Sequence, residues 1–173
     1  LPLRAADPEG RRLSIEVAWL GSSDASRIVL HIAGTHGVEG FSGGAIQLAA
    51  FSTLPPPKQG SARIFVACLN PWGMSHLRRV NEDNVDLNRN LHLNSADFGG
   101  APQVYGLVDG LINPKKAPRR CELFYDQALC AILRHGFTTL KQSIAGGQYE
   151  FPRGLYFGGR ALADALQQLT QWL

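Results

Sequence analysis

The feature that most constrains the fold is an apolar run that leads directly into a glycine-rich heptapeptide. Residues 28–33 are apolar and rich in β-branched side chains, and a glycine follows them. This pattern predicts a buried strand. The heptapeptide, Gly-Thr-His-Gly-Val-Glu-Gly at residues 34–40, precedes a stretch, 41–50, that is typical of a helix. We therefore expect His36 and Glu39 at the carboxyl end of a strand, where open α/β sheets bind their ligands.

The residue types in the heptapeptide indicate a metal site. An imidazole nitrogen and a carboxylate oxygen are both good zinc donors, and a spacing of three brings His36 and Glu39 to one side of a single turn. The three glycines let the backbone turn sharply and leave room above the site. The alternative is a glycine-rich turn with a capping glutamate and a surface histidine. The heptapeptide alone is compatible with both.

Composition excludes several classes of partner. A chain of 173 residues suits one domain with a sizeable core, and its hydrophobic fraction of 45% and charged fraction of 18% are typical of a soluble globular protein. A net charge of +3 is too small to indicate nucleic acid or a membrane. No stretch is long and apolar enough to span a bilayer, and the start lacks the pattern of a secretory signal. We expect neither nucleic acid nor membrane as a partner, and no pattern predicts an oligomeric state.

The cysteines and the chain ends give two further expectations. Three cysteines follow no metal or disulfide spacing: Cys68, Cys121 and Cys130. They are predicted to be buried free thiols, which favours a reducing compartment, the cytoplasm. The chain begins with Leu1 rather than methionine, and the helical pattern of 161–173 has no helix-end signal. We therefore expect residues 1–173 to form a single domain that is truncated at both ends.

Strand and helix patterns alternate along the chain, which predicts an α/β fold. The expected strands are 12–19, 27–33 and 62–69, and the expected helices are 42–53, 119–134, 137–145 and 161–173. The third strand is apolar on both faces and is expected at the centre. Residues 91–117 show little periodicity and predict a long loop that shapes access to a site. The predicted architecture is a mixed, mostly parallel central sheet flanked by helices.

A second polar cluster follows the third predicted strand. Residues 81–90 are dense in asparagine and charged side chains, and two arginines precede them at positions 78 and 79. Arginine binds a carboxylate through two parallel hydrogen bonds, and a neighbouring asparagine adds a neutral donor. This chemistry suits recognition of a substrate carboxylate or stabilisation of an oxyanion. The alternative is a solvated loop with internal Asx turns.

Several motifs together resemble the zinc carboxypeptidase superfamily. In chain order they are His36-x-x-Glu39, Asn70-Pro71-x-Gly73, Arg79 and Asp86-Leu87-Asn88-Arg89-Asn90. The heptapeptide and the string Gly-Gln-Tyr-Glu at 147–150 resemble a bacterial branch of unknown function within that superfamily. The resemblance extends from about residue 12 to about residue 160, and the order of the motifs makes it specific.

The resemblance implies a set of roles. His36 and Glu39 would be two of the three protein ligands of one zinc ion. Arg79 would polarise the scissile carbonyl and steady the oxyanion. Asn88 and Arg89 would bind the terminal carboxylate of the substrate. The implied reaction is zinc-dependent hydrolysis of an amide bond next to a free carboxylate, in a small-molecule or peptide substrate.

Two parts of the family pattern have no clear counterpart before residue 173: a third ligand, which is a histidine on a later strand, and a glutamate that acts as general base. Four other histidines are candidate stand-ins for the ligand: His31, His76, His92 and His135. We expect His31 to be a packed core residue, and we expect the missing ligand and base beyond residue 173. Arg78 is the second choice for the role of Arg79.

Three other functions remain open at this stage. One is a deacylase of N-acyl amino acids, as in the aspartoacylase-like relatives, which also needs a carboxylate clamp. Another is a non-catalytic carboxylate-binding relative that lacks the third metal ligand. The last is a serine hydrolase, because residues 40–44 fit Gly-x-Ser-x-Gly around Ser42. That motif needs its serine on the turn directly after a strand, whereas here the heptapeptide intervenes and Ser42 is predicted to cap a helix.

Overall fold

The computed structural model describes residues 1–92, 94–117 and 123–173. The chain divides into two compact units. The first unit comprises Leu1–Asp83 and Leu162–Leu173, and the second comprises Asn84–Ala161. The expectation of one truncated domain stays a prediction.

The first unit contains two small sheets. Their strands are β1 (Pro2–Ala6), β2 (Arg12–Ser14), β3 (Val17–Gly21), β4 (Arg27–Ile32) and β5 (Ser61–Val66). Strands β1 and β2 pair antiparallel, and the second sheet has the order β3-β5-β4. Strand β5 is antiparallel to β3 and parallel to β4. It is central, as predicted, and its residues Ala62, Ile64 and Val66 are buried.

The predicted strand at 12–19 is split between the two sheets. Ile15 and Glu16 interrupt it, although Ile15 is fully buried. The Ile15 N–H donates to the Leu1 carbonyl at 2.8 Å, whereas the Glu16 carbonyl accepts from Ala67 N–H at 3.0 Å. Neighbouring residues therefore bond to segments next to different strands, β1 and β5. The apolar alternation continues through the break, although Ile15 is its one buried residue and Trp19 is 40% exposed.

Strand β4 is present as predicted, but the prediction that it is buried is wrong. Ile28 and Val29 are 49% and 54% exposed. Among the described residues β4 pairs only with β5, so it lies at a sheet edge. An apolar run makes a strand suitable for burial, but the strand is buried only where other segments of the protein pack against it.

Three helices belong to the first unit: α1 (Gly40–Thr53), α2 (Pro71–Ser75) and α6 (Asp164–Trp172). Helix α1 begins two residues before the predicted start, and the Ser42 hydroxyl donates to the Glu39 carbonyl at 3.1 Å. Ser42 is therefore inside the helix, so its prediction as a cap is wrong. It is also not at the elbow that a serine hydrolase requires. Helix α6 buries Leu166 and Leu169.

The second unit contains α3 (Gln103–Ile112), α4 (Phe124–His135) and α5 (Phe137–Ala145). The bounds of α5 agree with the prediction. The prediction of an unstructured loop over 91–117 is wrong, because α3 lies within it. Tyr105 and Val108 are the buried residues of α3, at helical spacing. Two glycines inside the helix, Gly106 and Gly110, hide that periodicity, since glycine lowers helix propensity.

Some predictions fall on residues outside the described part of the chain. These are the start of the helix expected at 119–134 and the burial of Cys121. Cys68 is a half-buried free thiol. Cys130 is also free but exposed, so the prediction that it is buried is wrong.

The α/β class and the mixed sheet are confirmed, but the sheet is small. In the sheet β3-β5-β4 one strand pair is antiparallel and one is parallel, and the expectation of a mostly parallel sheet stays a prediction. The antiparallel pair arises because β3 enters beside β5 in the opposite direction, after the break at residues 15 and 16. None of the helices in the described ranges combines the length and apolarity needed to cross a bilayer. The cytoplasmic location stays a prediction.

Candidate functional site

The heptapeptide forms a tight turn that brings His36 and Glu39 together. After β4 the backbone reverses at Gly34, which has a φ of +64°. Residues Gly37–Glu39 then form a single 3-10 turn that continues into α1. His36 Nδ1 lies 3.1 Å from Glu39 Oε1. The His36 side chain is 12% exposed and that of Glu39 is 65% exposed, so a mostly buried donor meets an accessible carboxylate.

Two of the heptapeptide glycines permit close packing rather than a sharp turn. A Cβ at Gly37 would lie 2.1–2.4 Å from backbone atoms of Gly73 and Met74, at helix α2. A Cβ at Gly40 would lie 3.0 Å from the sulfur atoms of Cys68 and Met74. The turn and α2 therefore pack backbone against backbone. This contact explains why glycine is needed at position 37. At Gly73 a Cβ would instead lie 2.6 Å from Asn70 Nδ2 and 2.8 Å from the Arg78 and Val80 carbonyl oxygens.

Asn70 connects the turn with Arg79. Its Oδ1 caps α2 by accepting from Gly73 N–H at 2.8 Å, and its Nδ2 donates to the Arg79 carbonyl at 3.3 Å. The Gly37 N–H donates to the same Arg79 carbonyl at 3.3 Å. The backbone of Arg79 is thus hydrogen-bonded to the residue that follows His36. Asn70 is only 2% exposed.

Sequence reasoning used Asn70 only as part of the family motif. Its signal was an asparagine directly before Pro-x-Gly, which is the pattern of a helix cap with proline at the first helical position. The backbone of Arg78, the second choice for the role of Arg79, also lies close to the turn. The Arg78 carbonyl accepts from Val38 N–H at 3.3 Å, and both Arg78 and Arg79 are exposed.

A half-buried thiol lies behind the turn. Cys68 Sγ is 3.8 Å from the Gly34 carbonyl, and a Cβ at Gly34 would meet that sulfur at 2.5 Å. Burial raises the pKa of the Cys68 thiol, and a hydrogen bond from the Asn70 backbone opposes the shift. The thiol therefore stays protonated at neutral pH and fills space beneath the turn.

The four other histidines have packing contacts of their own or lie at a helix end. His31 stacks on Phe65 with ring centres 4.9 Å apart, but it is only half-buried on the edge strand β4, so the prediction of a core residue is wrong. His76 stacks on Trp72 at 4.2 Å, and His92 contacts a tyrosine in the second unit. His135 ends α4. Among the described residues, no group of three His, Cys, Asp or Glu side chains is arranged to hold a metal.

The two residues that flank the predicted carboxylate clamp, Asp86 and Asn90, are structural. Asp86 is fully buried, and its Oδ1 accepts from Asn88 N–H at 3.0 Å. Asn90 is also fully buried, and its Nδ2 donates to the carbonyls of Gly158 and Ala161 at 2.7 and 2.9 Å. The alternative interpretation as an Asx turn is therefore right for Asp86. Asp86 thereby caps a 3-10 turn, Leu87–Arg89, within the second unit.

The side chains of the two predicted clamp residues, Asn88 and Arg89, do not hold the turn together in this way. The Asn88 side chain is exposed. Arg89 is half-buried, with its Nη2 donating to the Ala145 carbonyl at 2.9 Å and its guanidinium 5.8 Å from the centre of the Tyr156 ring. Gly147 makes room for it, because a Cβ there would lie 2.8 Å from Arg89 Cδ.

Arg89 also has an unsatisfied donor. Its buried Nε has no hydrogen-bond partner in the described part of the chain, and no carboxylate of those residues forms an ion pair with it. An unpaired buried donor costs free energy, about 1–3 kcal/mol. A carboxylate ligand that accepted from this nitrogen would recover that cost.

The protein is an α/β protein in which a turn with His36 and Glu39 follows the parallel strand β4. It also contains an arginine, Arg89, that has no acidic partner among the described residues. The chain belongs to the family described as "Protein of unknown function (DUF2817)", whose model matches residues 2–173. No curated protein matches the chain. The family description assigns no activity, so the resemblance to zinc carboxypeptidases stays a prediction.

Proposed function

We propose that this protein is a zinc-dependent hydrolase that cleaves an amide bond next to a free carboxylate, in the manner of a carboxypeptidase. The observation that carries the proposal is the 3.1 Å contact between His36 Nδ1 and Glu39 Oε1. The contact lies in a turn in which Gly37, the residue after His36, donates its backbone N–H to the Arg79 carbonyl.

The donor set fits zinc chemically but is incomplete. An imidazole nitrogen and a carboxylate oxygen are typical zinc ligands, and catalytic zinc sites use three protein ligands. His36 and Glu39 supply two, and their side chains already converge without any change of the backbone. A bound zinc ion supplies a Lewis acid that polarises a carbonyl group and lowers the pKa of water.

Arg79 is proposed to stabilise negative charge on the carbonyl oxygen of the substrate. Its backbone carbonyl accepts two hydrogen bonds, from Gly37 and Asn70, which restrict where its Cα can lie relative to the turn. A donor aimed at charge that develops in the transition state typically contributes about 2.7–4 kcal/mol.

Arg89 and Asn88 are proposed to bind the free carboxylate of the substrate. Arg89 has the unpaired Nε, and its Nη2 is held by Ala145. The exposed Asn88 amide can add a neutral donor from the adjacent position. Charge-assisted hydrogen bonds of this kind are stronger than neutral ones.

Hydrolysis of matched substrates tests the proposal. The zinc-loaded protein is assayed with an N-acetyl dipeptide that ends in a free carboxylate and with its C-terminal amide. We expect cleavage of the acid only, and a lower kcat/KM for Arg89→Lys but not for the exposed control Arg153→Lys. Equal cleavage of acid and amide would exclude carboxylate recognition. Cleavage of N-acyl amino acids in place of the dipeptide would favour the deacylase.

A second candidate function is carboxylate binding without catalysis, which needs no metal. The unpaired Nε of Arg89, whose Nη2 is held by the Ala145 carbonyl, favours it. Two ligands hold zinc weakly, whereas three retain it. Zinc that is retained through dialysis therefore favours the hydrolase. Loss of zinc, with carboxylate binding intact, favours the binding module.

A further inference from the structure

A chain of hydrogen bonds leads from His92 to the backbone of Arg89 within the second unit. His92 Nε2 lies 2.6 Å from Tyr149 Oη, and Tyr149 Oη lies 2.8 Å from the Arg89 carbonyl oxygen. A carbonyl oxygen only accepts, and a tyrosine hydroxyl has a single proton. Tyr149 therefore donates to Arg89, and His92 donates its Nε2–H to Tyr149. The direction of both bonds follows from this chemistry.

The two rings of this chain are held by packing. Phe98 contacts both edge to face, with its ring centre 5.1 Å from that of His92 and 6.2 Å from that of Tyr149. The backbone N–H of Tyr149 donates to the Gly100 carbonyl at 2.9 Å. Gly158 leaves space for the Tyr149 ring, because a Cβ there would lie 2.1 Å from a ring carbon.

Tyr149 keeps its donor over the physiological range. Burial raises the pKa of its hydroxyl, and the positive charge of Arg89 opposes the shift. The hydroxyl is therefore protonated at neutral pH and can donate to the Arg89 carbonyl.

Arg89 is consequently fixed at both ends. Its backbone carbonyl accepts from Tyr149, and its N–H donates to the Asp86 carbonyl at 2.9 Å. At the far end, Nη2 donates to Ala145. Only Nε, between these anchors, is buried without a partner among the described residues.

We infer that His92 and Tyr149 are positioning residues for Arg89, holding its backbone so that the guanidinium meets a ligand carboxylate. The inference rests on the proposed carboxylate-binding role of Arg89. It assigns a role to Tyr149 of the Gly-Gln-Tyr-Glu string and to His92, which the sequence offers as a candidate metal ligand.

Tyr149→Phe tests this most cleanly, since it keeps the ring beside Gly158 and removes only the hydroxyl. The matched control is Tyr125→Phe, at a tyrosine that is 83% exposed. The probe is N-acetylglycine, with N-acetylglycinamide as its uncharged twin, titrated by NMR. We expect Tyr149→Phe to bind N-acetylglycine about five- to tenfold more weakly than wild type, with Tyr125→Phe unchanged.

A second measurement needs no ligand. Hydrogen exchange at the Arg89 Nε–H is followed by NMR in the same proteins. Because loss of the anchor loosens Arg89, exchange is expected to accelerate several-fold in Tyr149→Phe and to stay unchanged in Tyr125→Phe. His92→Gln, which keeps a donor near the Nε2 position, is expected to resemble wild type, and His92→Leu is expected to resemble Tyr149→Phe.

The outcomes separate this inference from the proposed function. Normal N-acetylglycine binding and normal exchange in both Tyr149→Phe and His92→Leu would overturn the positioning role and leave the clamp intact. Failure of the wild-type protein to bind N-acetylglycine would overturn the clamp, and Nε–H exchange would still decide whether the two residues fix Arg89. If Tyr149→Phe does not fold, the His92→Leu and His92→Gln pair gives the same comparison.

Discussion

His36 and Glu39 meet through the Nδ1 atom of the imidazole ring, at 3.1 Å. Without a metal, a proton on Nδ1 is donated to the carboxylate. To hold a zinc ion together, both groups would need their lone pairs free, so Nδ1 would have to give up that proton. Zinc binding by this pair is therefore expected to weaken as the pH falls, because metal ligands must be deprotonated.

At the residue scale, Gly37 offers a sharp test of the packing beneath the turn. Gly37→Ala places a Cβ against the backbone of Gly73, which cannot move as a flexible side chain would. We expect a loss of about 1–3 kcal/mol in the free energy of unfolding, measured with urea. The control is Gly44→Ala in α1, where a Cβ has no neighbour within 4 Å. That change should stabilise the protein by about 0.5–1 kcal/mol. Equal effects at the two sites would contradict the close approach.

At the scale of elements, Asn70 is the link between α2, the turn and Arg79. Asn70→Ala removes the cap of α2 and the hydrogen bond to the Arg79 carbonyl. We expect a loss of about 1–2 kcal/mol in unfolding free energy.

The matched control for this variant is Asn94→Ala. Asn94 precedes another helical turn but makes no capping bond through its side chain. Its replacement should change stability by less than about 0.5 kcal/mol. If the two alanine variants are equally stable, the capping role of Asn70 is wrong.

The sequence predicted those elements whose patterns are local and uninterrupted. Strand β5 has a continuous apolar run, and helix α5 has a helical periodicity ended by glycine. Helix α5 has the expected bounds, and β5 lies where it was expected but ends three residues early, at Val66. Helix α3 was missed because glycines interrupt its apolar face. The exposure of β4 was not predicted because the burial of a strand depends on the other segments that pack against it. The residues of the strand itself do not specify those segments.

The same distinction holds for the candidate site. The contact of His36 with Glu39 could be predicted, since a spacing of three within one turn fixes their proximity. The bonding of Gly37 to the Arg79 carbonyl could not, because it joins segments about forty residues apart through a backbone contact. Nor could the pairing of His92 with Tyr149, because these two side chains are 57 residues apart in the sequence.

At the scale of the whole molecule, alkaline pH is expected to destabilise the fold through buried tyrosines. Burial raises the pKa of Tyr105, whose hydroxyl donates to the Leu155 carbonyl, and a hydrogen bond from Asn113 opposes the shift. The unfolded chain therefore releases this proton near pH 10, below the folded pKa. The stability contribution is complete below about pH 10 and is lost as the pH rises through the folded pKa.

The variant Tyr105→Phe tests this linkage. It removes the ionising group, so unfolding free energy should fall less steeply between about pH 9 and pH 11 than in wild type. Tyr125→Phe, at an exposed position, should keep the wild-type slope. A slope in Tyr105→Phe as steep as that of wild type would show that Tyr105 does not drive the alkaline transition.

The most direct test of the central claim is a zinc-binding cycle. Zinc affinity is measured by isothermal titration for wild type, His36→Ala, Glu39→Gln and the double variant, with Glu9→Gln as a control of equal exposure. The account predicts that His36→Ala and Glu39→Gln each weaken zinc binding more than about tenfold, and that Glu9→Gln has no effect. The double variant is expected to bind zinc little more weakly than the single variant with the lower affinity. Undetectable zinc binding by wild type, or losses that simply add, would show that residues 36 and 39 do not share one metal ion.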